Sequence, residues 1–187
     1  MRTARADVSE AHELDGLRIA VEIKPVNLAV GRALWNRFGD IRAFAVNIHL
    51  KFPFAVVGGV LVVPVWEWKA SGKHANEADP TDVAVPTADD VLAEEDVVAE
   101  LSKTIKTKGH VVRAPTIHLI DRLARRLERT RKRLTEADPP HLLEAVALVV
   151  YDPDDGTIDP AVPKPGSGLR WDEFVSALAE TYDVRFE

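Results

Sequence analysis

The sequence predicts an α/β protein in which a mixed central sheet is flanked by helices, folded as a single domain over residues 1–187. Three observations predict it. Two short alternating segments open the chain as a hairpin, apolar residues at helical spacing follow, and a Val- and Leu-rich run then lies between Pro53 and Pro64. A hydrophobic content of 46% over 187 residues is enough to bury one core.

The hairpin consists of residues 6–9 and 17–24, joined by a polar turn in which Asp15-Gly16 is a favourable dipeptide. In the second segment Leu17, Ile19, Val21 and Ile23 share one face, and Arg18, Ala20, Glu22 and Lys24 share the other. Pro25 ends that strand. From residue 28 to residue 50, Val30, Leu34, Ile41, Phe44, Ala45 and Ile48 recur at helical spacing, with a break expected near Gly39. Residues 54–65 then form a strand buried on both faces, where Gly58-Gly59 marks close backbone packing.

Residues 67–115 carry prolines, charges and patchy periodicity, so they form an insertion holding little of the core, with a short helix at 89–106. A long amphipathic helix follows Pro115, with Ile117, Ile120, Leu123, Ala124, Leu127 and Leu134 inward and its arginines outward. It stops before Asp138-Pro139-Pro140. Residues 143–151 form another apolar strand, Asp152-Pro153-Asp154-Asp155-Gly156 a turn, and residues 171–182 a closing helix.

Composition excludes several kinds of chemistry. Without cysteine there is no disulfide and no thiolate, so a metal must be held by oxygen or imidazole, and a reducing cytoplasm is the expected compartment. No apolar stretch has the form of a signal peptide or the length of a membrane span. His49, His110, His118 and His141 lack zinc spacing, and neither a Gly-rich phosphate loop nor Gly-x-Ser-x-Gly occurs. The net charge is −6, but the signs are segregated: every charge from Glu77 to Glu100 is acidic, and a tract dense in arginine runs from Arg122 to Arg133.

Phosphodiester hydrolysis needs a divalent cation on hard oxygen ligands, a polarised phosphate and a water that loses its proton near neutral pH. Two carboxylates and an ammonium supply this. Glu22-Ile23-Lys24 sets an anion and a cation side by side on one strand face, and Asp7 on the neighbouring hairpin strand is placed to complete the set.

The residues Arg5-Ala6-Asp7-Val8-Ser9 and Val21-Glu22-Ile23-Lys24, with the helix and buried strand after them, resemble the PD-(D/E)XK nuclease superfamily. In that restriction-endonuclease-like fold an Asp opens one hairpin strand, an acidic-x-Lys closes the next, and a helix leads to a further buried strand. The resemblance implies that Asp7 and Glu22 bind Mg2+ (or Mn2+), that the Ile23 carbonyl is a further ligand, and that Lys24 orients the attacking water or stabilises the phosphorane. The chain departs from the family where Ala6 replaces a frequent Pro, and where little precedes Asp7 although the family has a helix and a strand there.

The implied activity is that of a Mg2+-dependent endonuclease on double-stranded DNA, with a homodimer expected because two strands are cut. Arg32, Asn36 and Arg37 on the helix after Lys24, and Arg125, Arg126 and Arg129 on the later one, are candidates to contact DNA phosphates. A second Glu-x-Lys, Glu67-Trp68-Lys69 with Asp40 upstream, has the wrong element order. Two readings compete with the enzyme. One is a noncatalytic nucleic-acid-binding or defence-accessory protein that keeps the fold, and the other is an interaction protein in which Glu22 and Lys24 form a surface ion pair of small energetic value.

Overall fold

A computed structural model describes residues 6–27, 29–70 and 111–187. The hairpin strands are β1 (Val8–His12) and β2 (Gly16–Pro25), and Gly16 takes φ +73°, which the tight connection demands. Helix α1 (Val30–Lys51) leads to β3 (Val56–Pro64), followed by β4 (Trp66–Ala70). Beyond the undescribed residues come β5 (Val111–Pro115), α2 (Ile117–Thr130), β6 (Ala145–Tyr151) and α3 (Trp171–Phe186).

The main sheet runs β1-β2-β3-β6, with β1 antiparallel to β2 and the other pairs parallel. The expected α/β class with a mixed sheet is therefore present. Alternation along the strands sorts their side chains into two layers. Ala20, Val57, Leu61, Val63, Val146 and Leu148 face α1 and α2, whereas Val21, Val56, Val60, Ala145 and Ala147 face α3. The double glycine lets both layers approach the sheet: a methyl at Gly59 would stand 2.5 Å from Ile41, and one at Gly58 would stand 2.9 Å from Phe174.

Four expectations need correction. Helix α1 runs unbroken through Gly39, which points to solvent while Phe38 and Ile41 on either side are buried; that packing outweighs a glycine cost of about 1 kcal/mol. At the ends of the expected insertion, where no strand is expected, β4 and β5 pair antiparallel as a two-stranded ribbon separate from the main sheet, in which Glu67 is buried. The helix expected at 89–106 lies outside the described residues. Helix α2 stops at Thr130, whose carbonyl accepts from the Leu143 amide, so Leu134 is left 81% exposed.

The fourth correction concerns Arg133, which the helical pattern turns outward and the structure buries. It meets Glu144, whose side chain is sealed from solvent. Glu144 Oε1 lies 3.2 Å from Arg133 Nε and 2.8 Å from Arg185 Nη1, and Oε2 accepts from the Val57 amide at 2.9 Å. His49 Nε2 stands 3.3 Å from Oε2, while its Nδ1 donates to the Pro140 carbonyl. Burial lowers the Arg133 pKa, and Glu144 opposes that shift. This cluster ties the segment after α2, the N-terminal ends of β3 and β6, and the end of α3 together.

Candidate functional site

Strand β2 delivers Glu22 and Lys24 onto the face covered by α1, at the carboxyl end of the parallel strands, the end at which open α/β sheets bind ligands. Lys24 Nζ meets Glu22 Oε1 directly. Glu22 is only 8% exposed, and its other oxygen, Oε2, is buried with no hydrogen-bond partner among the described residues. Lys24 is more open, with about a quarter of its side chain reaching solvent.

Asp7 grips the strand on both sides of Glu22. Its amide donates to the Val21 carbonyl at 3.0 Å, and its Oδ2 accepts from the Ile23 amide at 2.7 Å. In an extended strand the amide and carbonyl of one residue point to the same side, so the Ile23 carbonyl faces the edge where Asp7 lies. The structure thus brings Asp7, Glu22, Ile23 and Lys24 together. Among the described residues no three Asp, Glu, His or Cys side chains are gathered as a metal-holding group.

The second Glu-x-Lys has a different occupation. Glu67 reaches from β4 to the start of α1, where its Oε2 accepts from the Val30 amide at 2.7 Å and so caps a helix that begins without a side-chain cap of its own. Asp40, its suggested partner, is paired with Arg37 at 3.1 Å. The Asp152–Gly156 segment is a turn, with Asp152 Oδ1 accepting from the Asp154 amide.

The candidate phosphate-binding residues fall into two groups. Arg37 is half-buried and engaged with Asp40, and Asn36 is half-buried beside it. Arg32 on α1 and Arg125, Arg126 and Arg129 on α2 are exposed. Sequence reasoning missed Trp35, over which the Arg126 and Arg122 guanidinium groups lie at 4.5 and 5.5 Å from the ring centroid. The available signal was a tryptophan on α1 that falls outside the core positions recurring at helical spacing. Among the described residues no hydrogen bond or ion pair joins these arginines to the Asp7–Lys24 group.

No family model, curated protein or solved structure matches this chain. No helix among the described residues is long and apolar enough to cross a membrane.

Proposed function

We propose that the chain is a Mg2+-dependent endonuclease of the restriction-endonuclease-like fold, acting on double-stranded DNA through Asp7, Glu22 and Lys24. The observation that carries this reading is Glu22 Oε2, a carboxylate oxygen withdrawn from water with nothing among the described residues donating to it. Such an atom is costly unless a cation or a donor meets it. A second carboxylate, Asp7, lies just before β1 and accepts from the Ile23 amide next to Glu22 on β2.

The donor chemistry fits Mg2+, which takes hard oxygens and is usually held by one or two carboxylates, with water and substrate phosphate completing its octahedron. Asp7 Oδ1, Glu22 Oε2 and the Ile23 carbonyl are the oxygens this chain offers; Mn2+ accepts the same set. A bound cation would polarise the phosphate and lower the pKa of a water. Asp7 fixes the backbone on both sides of Glu22 through the Val21 carbonyl and the Ile23 amide. The Lys24 ammonium, held beside the site by Glu22, stabilises charge that develops on the phosphate. The order hairpin, helix, buried parallel strand supports the fold assignment, and a homodimer would supply one site for each strand.

The direct contact between Lys24 and Glu22 favours a second reading, a noncatalytic interaction protein in which the two charges simply satisfy each other. Thermal unfolding at constant ionic strength separates the two. Under the metal-site reading the melting temperature climbs with Mg2+, with a stabilisation of about 2.7 kcal/mol at a hundredfold excess over the dissociation constant. Asp7→Asn with Glu22→Gln abolishes the response. A flat response in the unaltered protein supports the noncatalytic reading, and an equal response in both proteins puts the cation elsewhere.

A further inference from the structure

Helix α2 spends its apolar face on the core, where Leu119, Ile120, Leu123 and Leu127 are buried. Its other face carries Arg122, Arg125, Arg126 and Arg129, none of which is paired with a carboxylate among the described residues. Arg122 and Arg126 are one turn apart, and like charges at that spacing repel. Both nonetheless lie over one ring, that of Trp35 on the neighbouring helix.

A guanidinium held over an indole gives up part of the freedom that an exposed arginine would otherwise lose on binding, and its N–H groups, unpaired with a carboxylate among the described residues, stay available to an anion. We infer that Trp35, Arg122 and Arg126 form a preorganised clamp for the phosphate backbone of duplex DNA, with Trp35 as the positioning residue. This rests on the endonuclease reading for the identity of the polyanion, and it adds Trp35 and Arg122 to the binding surface. A phosphodiester oxygen pair suits the free edge of a guanidinium, and the anion relieves the repulsion between the two cations. An anionic membrane is the weaker partner. A helix that lies in a lipid interface buries its apolar face there, and that of α2 is already buried in the protein.

The test is duplex DNA binding by fluorescence anisotropy across a salt series, with plasmid cleavage measured in parallel. Arg122→Gln with Arg126→Gln should lower the slope of log affinity against log salt by about 1.8, or about 0.9 for each phosphate contact removed. Trp35→Leu keeps both charges, so it should weaken binding by about two- to fivefold and leave the slope unchanged. A control that removes two charges elsewhere, Lys51→Gln with Lys164→Gln, should leave the slope intact. An unchanged slope in the double arginine variant, or an equal drop in the control, overturns the clamp. Loss of binding to phosphatidylserine vesicles with unaltered DNA binding overturns it too. If the unaltered protein binds DNA through these arginines but never cleaves it, the clamp stands and the endonuclease reading falls. If cleavage and affinity both survive the double substitution, the clamp falls and the endonuclease reading stands.

Discussion

Replacing Lys24 with alanine is expected to slow Mg2+-dependent plasmid cleavage by on the order of 100- to 1,000-fold, the usual loss when one donor to a developing oxyanion is removed. The substitution reaches further than the ammonium alone. Lys24 is the ion partner of Glu22, which is nearly buried, so its loss leaves that carboxylate without a neighbouring positive charge. The variant should therefore be less stable in chelator than the unaltered protein, and Mg2+ should raise its melting temperature by more. Lys24→Arg keeps the charge and should recover stability better than rate, because a guanidinium does not present the same point charge. Single-turnover cleavage and melting curves on the three proteins check this. Undiminished turnover in Lys24→Ala removes Lys24 from the chemistry.

Glu144→Ala is expected to cost about 3–5 kcal/mol of stability, because it leaves the buried Arg133 with its charge uncompensated. The same carboxylate also holds the Val57 amide, His49 and Arg185, so three further segments loosen with it. Urea unfolding gives the value, and a destabilisation below about 1 kcal/mol would mean that water reaches the cluster freely. The loop that delivers Arg133 has its own pH dependence. Asp138 accepts from the Leu134 and Thr135 amides, which hold its pKa below the ordinary aspartate range. A depressed folded-state value means that this contribution is fully present above the unfolded value and is lost as the pH falls through the depressed one.

The elements that could be read from the sequence are those whose periodicity decides their burial. The alternation in β2, the helical spacing in α1 and the apolar run of β3 each have one packing solution, and all three lie where expected to within a few residues. The same alternation places Glu22 and Lys24 on a shared face. Asp7, expected on the neighbouring strand, sits just before β1, bonded to the Ile23 amide.

What escaped was tertiary. Leu134 continues the spacing of α2, but the pairing of Thr130 with Leu143 ends the helix before it, and nothing local to residues 127–134 encodes that contact. Glu144 directly precedes an apolar strand, and a lone charge there is a signal for a buried partner, yet its partners at 49, 133 and 185 all lie outside that strand. The cap that Glu67 provides for α1 likewise depends on a ribbon that folds back over the helix start. Local pattern predicts which face is buried, whereas the identity of a polar group's partner is set by the completed fold.

The most direct test of a Mg2+ nuclease at Asp7, Glu22 and Lys24 is the conversion of supercoiled plasmid to nicked and linear forms with Mg2+ or with chelator, in the unaltered protein and in Asp7→Asn and Glu22→Gln. The expected result is cleavage that needs Mg2+ and is lost in each variant while both remain folded. Cleavage that persists in folded Asp7→Asn and Glu22→Gln, or its absence in the unaltered protein with Mg2+ and Mn2+ alike, would contradict the assignment.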